Sequence, residues 1–420
     1  MLSDLKILLG FLLFLSLSAN KCSEAEKETS DEPALHIEPV VATEPAVFQS
    51  AEMVMGAERF DLYLPKLQSL NIALVVNQTS IVGDQHLVDA LLARGVQVKK
   101  IFSPEHGFRG KADAGETVAD GRDAQTGIPI LSIYGSKKKP ASEDLAGIDL
   151  VLFDVQDVGA RFYTYIYTMS YVMEACAENG VRFLVLDRPN PNGHYVGGPM
   201  LKKGFESFVG LHPIPVVHGM TVGEYARMVN DEGWLKNGVR CQLEVIPCDR
   251  YNHRSFYELP VKPSPNLPNM QSIYLYPSIC YFEGTVASLG RGTSKQFQVL
   301  GHPDYPDGDF YFTPMPNEGA KSPKLQGQRC RGYDYSTTAL TTLQDQQFDL
   351  SYLINFYQQF PDKASFWRSD NFIRLLWGSE DIKQWLAEGR TAAEITATWQ
   401  EDLAAFKAKR QRYLLYEDFE

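Results

Sequence analysis

The chain has few cysteines and no excess of positive charge. Six of its 420 residues are cysteine, and 40 Lys and Arg stand against 52 Asp and Glu, for a formal net charge of −12. A nucleic acid requires a basic face on its partner, so this balance argues against a nucleic-acid partner. The cysteines show no CxxC pair and no zinc-binding spacing. We therefore expect mostly buried thiols at Cys176, Cys241, Cys248, Cys280 and Cys330.

Several motifs that bind cofactors or activate nucleophiles are also missing. The segment after the first predicted strand reads NQTSIVGDQH instead of GxGxxG, and GxxxxGK[ST] occurs nowhere. We therefore expect no dinucleotide and no triphosphate cofactor. HExxH, the zinc-binding pair of metalloproteases, is absent, and Ser288 lacks the GxSxG context of a catalytic serine. The sequence predicts neither a cofactor nor a metal ion.

Residues 1–21 have the pattern of an export signal. Lys6 precedes the apolar run ILLGFLLFLSLSA, which is short for a permanent membrane span. Cys22 resembles the lipid-modified cysteine of a bacterial lipoprotein, although Lys21 replaces the small residue usual before it. The alternative is ordinary cleavage nearby, with Cys22 a free thiol. Residues 22–50 are typical of a flexible tether. We expect an exported protein, either periplasmic or anchored to a membrane through a lipid on Cys22.

Apolar periodicity predicts an α/β fold with a mainly parallel sheet. Strand-like runs alternate with helical patterns, as in βαβ units. The predicted strands are 72–76, 98–102, 129–133, 149–153, 182–186 and 243–247, and the predicted helices include 88–95, 161–180 and 221–233. Residues 259–293 are dense in Pro, Asn and Gly, so we expect long ordered loops there. Beyond about residue 300 the pattern changes to a smaller unit that ends in amphipathic helices.

Polar side chains capable of chemistry follow four of the predicted strands. The carboxyl ends of parallel strands converge on one edge of a sheet, where ligands bind. The side chains at these ends are Asn77, Glu105, His106, Asp154, Gln156, Asp157 and Asp187. Such a set would be unusual for a purely structural sheet. The sequence therefore predicts a site at this edge.

Each of these acidic side chains also has a structural interpretation. Pro104 stiffens the chain before Glu105, so its carboxyl should project into the crevice; the alternative is an ion pair with Arg109 or a helix cap. Asp157 could instead be the N-cap of a helix that begins near Ala160. Adjacent residues of extended chain point to opposite sides, so one of Glu105 and His106 should face away.

Other candidates lie on helix starts and loops. Arg161, in the predicted first turn of a helix, lies where a cation is unfavourable, which indicates that it meets an anion or a carboxylate. Glu283 and Arg291 lie beside glycines that let the backbone approach a ligand, although Glu283 could equally cap neighbouring amides. The remaining candidates for ligand contact are Tyr163, Asn190, His218 and Asn266. For Tyr163 core packing is the alternative, and for Asn190 a proline-rich turn.

Seven ordered blocks of sequence resemble a known family. They are NQTS, SPEHGFRG, DVQDVGARFYTY, LDRPNPNG, HGMTVGEYA, PSPNLPN and YFEGT…GRGT, spread over about residues 70–300. Together they are similar to the exo-acting β-N-acetylmuramidases of peptidoglycan turnover. The resemblance implies a Rossmann-like catalytic domain without nucleotide over 51–300, with helices on both faces of the sheet, and a smaller α/β auxiliary domain over 301–420. It also implies release of N-acetylmuramic acid from non-reducing ends of peptidoglycan-derived saccharides, with Glu105 in the active site.

Glycoside hydrolysis usually requires two carboxyl groups, one protonated and one ionised. We expect Glu105 to be the acid, with Glu283 as its partner, followed by Asp157 and Asp187. The lactyl carboxylate of muramic acid should meet a cation, for which the candidates are Arg109, Arg161 and Arg291. Two alternatives stay open: a metal-dependent hydrolase that uses Glu105, His106, Asp154 and Asp157, and a non-catalytic surface glycan-binding lipoprotein.

Overall fold

A seven-stranded sheet organises the protein, as shown by a computed structural model that describes residues 52–105, 107–108 and 120–420. The strands are β1 (Asn71–Val76), β2 (Ile81–Val82), β3 (Gln85–His86), β4 (Gln97–Ser103), β5 (Gly121–Arg122), β6 (Pro129–Ser132), β7 (Leu150–Asp154), β8 (Arg182–Leu186), β9 (Gln242–Ile246), β10 (Val299–His302), β11 (Phe310–Phe312) and β12 (Cys330–Asp334). All six predicted strands are confirmed to within two residues.

One α-helix precedes the first strand, and the other described α-helices lie between and after the strands. They are α1 (Phe60–Leu67), α2 (Leu87–Leu92), α3 (Tyr165–Asn179), α4 (Val222–Asp231), α5 (Met270–Ile279), α6 (Leu340–Gln346), α7 (Ser351–Gln359), α8 (Ile373–Trp377), α9 (Asp381–Ala387), α10 (Ala392–Ala397) and α11 (Gln400–Arg410). Short 3₁₀ helices occur at Gly56–Glu58, Ser142–Asp144, Lys236–Gly238, Cys280–Gly284 and Gln411–Tyr413.

The large sheet has the strand order of a doubly wound α/β fold. Its order is β5-β6-β4-β1-β7-β8-β9, in which the short β5 pairs antiparallel with β6 and all other neighbours are parallel. The six parallel strands, counted along the chain, thus lie in the spatial order 3-2-1-4-5-6. The order reverses between β1 and β7, and ligands of such sheets bind outside the carboxyl ends near this point. The predicted fold class is confirmed.

Helices cover both faces of the sheet. Ile72, Leu74 and Val76 of β1 belong to one buried cluster together with residues of α1 and α2. Ala73 and Val75 point to the opposite face and belong to a second cluster with α3 and α4. Strands that are buried on both faces read as continuous apolar runs, which is why periodicity located them.

Local sequence signals locate the end of one helix and the start of another. Gly180 ends α3 with a left-handed backbone (φ +68°) that glycine adopts without strain. Thr221 caps α4, and Glu224 completes a capping box. The start predicted for the first of them, at residue 161, is wrong: α3 begins at Tyr165. The backbone N–H of Arg161 instead donates to the Val216 carbonyl at 2.7 Å, which holds this segment outside the helix.

The expectation of loops throughout 259–293 is also wrong in part. α5 and the 3₁₀ helix Cys280–Gly284 occupy the middle of this segment. The side chain of Asn269 caps α5 by accepting from the N–H of Ser272 at 3.0 Å. Pro277 lies inside α5, where a proline removes one helical hydrogen bond. Every side chain of α5 except Gln271 is buried, so packing outweighs this unfavourable term.

The C-terminal part contains its own three-stranded antiparallel sheet, β10-β12-β11, together with α6 to α11. This agrees with a smaller α/β unit, although the predicted boundary at residue 300 stays a prediction. Several of its side chains contact the first part of the chain, among them Arg410 and Tyr416. Arg410 donates to the Gly219 carbonyl at 2.6 and 2.9 Å, and the Tyr416 hydroxyl donates to Asp187 at 2.6 Å.

All five predicted thiols, from Cys176 to Cys330, are free and buried, which confirms that expectation. Among the described residues, no helix combines the length and the apolar character needed to cross a membrane. Cys22 and the rest of residues 1–50 lie outside the described residues.

Candidate active site

A cavity of about 220 Å³ gathers side chains from distant parts of the chain. Its polar lining includes Glu105, which follows β4, and Thr164, which directly precedes α3. Glu283 enters from the 3₁₀ helix after α5, and Arg291 from the loop beyond it. The rest of the lining is Tyr134, Phe162, Tyr163, Phe208, Val209, Ser264, Asn266, Leu267, Tyr276, Cys280, Phe297, Phe372 and Leu376. The cavity thus has predominantly aromatic and apolar walls with two carboxyl groups.

Two hydroxyl groups hold the carboxyl group of Glu105. The Tyr134 hydroxyl donates to one carboxyl oxygen at 2.7 Å, and the Thr164 hydroxyl donates to the other at 2.6 Å. The Tyr165 hydroxyl also donates to the backbone carbonyl of Glu105 at 3.3 Å. Both oxygens are therefore oriented by hydroxyl groups, and the half-buried carboxyl group remains in contact with the cavity.

Glu283 has a different electrostatic environment. Arg291 Nε donates to its carboxylate at 2.7 Å. Burial alone would raise the pKa of Glu283, but the positive charges of Arg291 and Lys324 outweigh it and hold this pKa below its ordinary value. Lys324 Nζ is fixed nearby because it donates to three backbone carbonyls, those of Phe282, Thr285 and Ala287. Glu283 is thus an ionised carboxylate at neutral pH.

Tyr163 and Asn266, two of the candidates for ligand contact, also line the cavity. The Tyr163 hydroxyl donates to the Pro263 carbonyl at 2.8 Å, and Asn266 Nδ2 donates to the Gly319 carbonyl at 2.7 Å. Asn266 Oδ1 is buried without a hydrogen-bond partner among the described residues. A buried acceptor without a hydrogen bond is costly to the fold.

The structure does not bring Asp157 or His218 into the cavity lining. Asp157 Oδ2 accepts from the Gly159 N–H at 2.7 Å, and it caps no helix because α3 begins at Tyr165. Burial raises the pKa of Asp157 to about 7. Burial also lowers the pKa of His218 to about 3, so His218 is neutral, and its 3.8 Å approach to Asp157 is not an ion pair.

Two other acids at strand ends are occupied by the fold. Arg188 binds both carboxylate oxygens of Asp154, at 2.5 and 2.9 Å. Asp187 accepts from the Thr221 and Tyr416 hydroxyls and from the Gly223 and Arg188 amides. Burial raises the pKa of Asp187 to about 6. Both acids therefore hold parts of the fold together, and neither is among the described residues that line the cavity.

The three amide candidates make hydrogen bonds within the fold. Asn77 Oδ1 accepts from the amide and hydroxyl of Thr79 at 2.9 and 2.6 Å. Gln156 Nε2 donates to the Pro189 carbonyl at 2.8 Å. Asn190 Nδ2 donates to the Met220 carbonyl at 2.8 Å. None of the three amides is among the described residues that line the cavity.

Arg161 meets backbone carbonyls instead of an anion. Its guanidinium donates to those of Pro199, Ile214, Leu376 and Trp377 at 2.7–3.0 Å, and the side chain is fully buried. The argument from the helix dipole does not hold for it, since Arg161 precedes α3. Of the three arginines considered for the lactyl carboxylate, Arg291 lines the cavity and Arg109 lies outside the described residues. His106, another candidate, also lies outside the described residues.

Sequence reasoning missed several cavity residues. Tyr134 comes two residues after β6, so the rule that located Glu105 applies equally to it. Thr164 lies within the block DVQDVGARFYTY, but it was not a candidate because the predicted helix started at residue 161 and included it. Phe208 and Tyr276 carried no sequence signal, because only packing brings them to the cavity. The same holds for Lys324, which does not line the cavity but acts on Glu283 through its charge.

Two carboxyl groups at one cavity meet the basic requirement of glycoside hydrolysis, in which one acid protonates the leaving oxygen while the other stays ionised. The doubly wound sheet and its site thus define a class: α/β proteins equipped for acid–base cleavage of an acetal. Within this class, the chain belongs to the family of exo-β-N-acetylmuramidase NamZ. The model of the family's N-terminal domain matches residues 72–271, and that of its C-terminal domain matches residues 274–416.

Individual relatives agree with this assignment. The chain is 36% identical over 372 residues to the peptidoglycan β-N-acetylmuramidase NamZ of Bacillus subtilis (strain 168), covering 84% of this chain and 89% of the relative. Two crystal structures of DUF1343 family proteins from Bacteroides fragilis NCTC 9343 have similar folds. One has a TM-score of 0.82 and 45% identity over 88% of this chain and 100% of that one. The other has a TM-score of 0.75 and 26% identity over 87% and 99%.

Proposed function

We propose that this protein is an exo-acting β-N-acetylmuramidase that releases N-acetylmuramic acid from the non-reducing ends of peptidoglycan-derived saccharides. The observation that carries the proposal is the presence of Glu105 and Glu283 in one cavity. Membership of the family and the name of the Bacillus subtilis relative support the substrate.

The environments of the two acids support different roles. Glu283 is held ionised by Arg291 and Lys324, so it would act as base towards water or as nucleophile towards the anomeric carbon. Glu105 has hydroxyl partners at both oxygens, and these can accept as well as donate, so a protonated Glu105 is accommodated. We assign Glu105 as the general acid that protonates the leaving oxygen. The pairing of Glu105 with Glu283 is favoured over one with Asp157, which lies outside the lining.

Arg291 is our candidate for recognition of the lactyl carboxylate. A carboxylate prefers a guanidinium in a partly dry setting, and Arg291 lines the cavity with a side chain that is 26% exposed. Replacing Arg291 by Gln should reduce kcat/KM for a β-N-acetylmuraminide about 10- to 100-fold more than for the matching β-N-acetylglucosaminide, the range expected for one charged hydrogen bond. Because both substrates share the catalytic acids, their ratio isolates recognition. Equal losses on both would reject the assignment.

Sugar release from a chromogenic β-N-acetylmuraminide tests the main proposal. The wild type should release the chromophore, and Glu105→Gln should not, while both remain folded by circular dichroism. Saturable binding without any release by the wild type would instead support a glycan-binding protein. Exhaustive chelation should leave the rate unchanged; a loss that added metal restores would favour the metal-dependent hydrolase. The described residues contain no group of three or more potential metal ligands, and Asp154 is paired with Arg188.

We further propose that the protein is exported and anchored through Cys22. The apolar run before Cys22 and the acidic, proline-containing segment after it support a signal peptide and a tether. Metabolic labelling with a fatty-acid analogue should mark the wild type and not Cys22→Ala, and the variant should shift from the membrane to the soluble exported fraction. Labelling of both proteins, or of neither, would reject lipidation at Cys22.

A further inference from the structure

A row of aromatic rings begins in the cavity lining beside Glu105 and continues to Tyr171, which lies outside that lining. Tyr134, whose hydroxyl binds Glu105, packs against Phe208 with ring centroids 5.8 Å apart. Phe208 in turn stacks on Tyr171 of α3 at 6.4 Å, with only 18° between the ring planes. All three side chains are partly exposed, and Lys138 Nζ lies 4.5 Å from the Phe208 ring centre. The row is thus a partly wet aromatic surface that starts at the proposed general acid.

The row continues into a second cavity. Tyr171 lines a space of about 480 Å³, which is also bordered by Trp234 and His212. These two rings are stacked with centroids 5.5 Å apart and 27° between planes. Lys139 and Glu174 add charged groups to the same lining. Aromatic faces next to polar groups characterise sites whose ligands have apolar faces and polar edges.

We infer that the surface from Phe208 through Tyr171 to Trp234 binds the leaving-group portion of glycans longer than a disaccharide. The inference rests on the proposed function, because an enzyme that removes a terminal sugar leaves the rest of its substrate outside the cavity. Pyranose rings carry C–H groups on their faces and hydroxyls on their edges, which matches aromatic faces bordered by Lys139 and Glu174. Because the surface begins at Tyr134 beside Glu105, it extends from the side of the cavity where the proposed general acid would protonate the leaving oxygen. The surface therefore makes the enzyme sensitive to glycan length.

The test compares two substrates of alternating N-acetylmuramic acid and N-acetylglucosamine, a disaccharide and a tetrasaccharide, each with muramic acid at the non-reducing end. Tyr171→Ala and Trp234→Ala should each lower the ratio of kcat/KM for tetrasaccharide over disaccharide by about tenfold, near the low end of the range found for loss of an aromatic side chain that stacks on a nucleobase. Most of the loss should lie in KM, because stacking remote from the bond is similar in ground and transition states. The ratio cancels any effect common to both substrates.

Two variants serve as controls. Tyr171→Phe keeps the ring and should keep the wild-type ratio, which separates stacking from a role of the hydroxyl or of the fold. Phe256→Ala removes a ring that is 47% exposed and lines neither cavity, and it should also keep the ratio. An unchanged ratio in both Tyr171→Ala and Trp234→Ala would overturn the inference. A disaccharide that bears a stem peptide serves as a third substrate. A loss of kcat/KM seen only on that substrate would also overturn the inference, because the surface would then bind peptide and not glycan. Failure of the proposed function is distinct: the wild type would then release no sugar from the disaccharide.

Discussion

Removing the positive charge of Arg291 should shift the pH dependence of the enzyme in a definite direction. Arg291→Gln leaves a polar side chain in place but removes the positive charge that does most to lower the pKa of Glu283 against the effect of burial. The pKa of Glu283 should therefore rise. If Glu283 acts in its ionised form, the acidic limb of the kcat profile moves to higher pH, and activity near neutrality falls.

The same replacement should cost stability. A hydrogen bond to a charged group contributes roughly 1.5–3 kcal/mol, and the two side chains are only 26% and 20% exposed, so solvent screens the pair little. We expect a loss of about 2 kcal/mol in the free energy of unfolding at pH 7. The ion pair holds the folded-state pKa of Glu283 below its unfolded value. Its contribution is therefore complete above the unfolded pKa and disappears as pH falls through the folded one.

Profiles of kcat from pH 4 to 9 on a chromogenic muraminide, with urea unfolding at pH 7, measure both effects. Arg374→Gln is a matched control. Arg374 pairs with Glu380 at 3.2 Å, but the two side chains are 48% and 55% exposed, and such surface pairs contribute about 0–1 kcal/mol. An acidic limb that stays in place in Arg291→Gln would refute the role assigned to Glu283.

Three further outcomes are expected. Glu105→Gln should lower kcat at least about a thousandfold, the loss of a general acid, whereas Asp157→Asn should lower it far less; the reverse order would exchange their roles. Tyr134→Phe removes a hydroxyl that donates to the Glu105 carboxyl group and should cost about tenfold in kcat, consistent with one net hydrogen bond; an unchanged kcat would show that Tyr134 does not orient Glu105. Asp157→Asn should stabilise the protein at pH 8 by up to about 4 kcal/mol, since burial raises the Asp157 pKa from 3.8 to about 7. The destabilisation of the wild type by ionised, buried Asp157 is absent below pH 3.8, grows as pH rises and is complete above pH 7. Equal urea midpoints for variant and wild type at pH 8 would therefore contradict this prediction.

Much of the secondary structure could be predicted because its signals are local. Runs such as Leu150–Asp154 are buried on both faces, and the glycine that ends α3 and the capping box of α4 act within a few residues. The failures have the same physical origin. α5 lies in a segment dense in proline, and its helical state depends on burial, which a local pattern does not record.

The site could be predicted only as a region. Asn77, Glu105, Asp154 and Asp187 all follow parallel strands, and the sheet topology places those strand ends on one edge. Whether each side chain faces the cavity depends on its partners. Glu105 meets hydroxyls beside the cavity, whereas Asp154 is taken up by an arginine that lies 34 residues further along the chain.

By itself the sequence determined which segments form the strands of the large sheet, one end of each of two helices, the family and the acids to consider. Each of these depends on short patterns or on ordered blocks. Only the tertiary structure decided that Glu105 shares its cavity with Glu283 and Arg291, while Asp157 and Arg161 do not line it. The reason is physical. Burial, ion pairing and hydrogen bonding arise between residues distant along the chain, and these interactions decide whether a carboxyl group is used by the fold or left for a substrate.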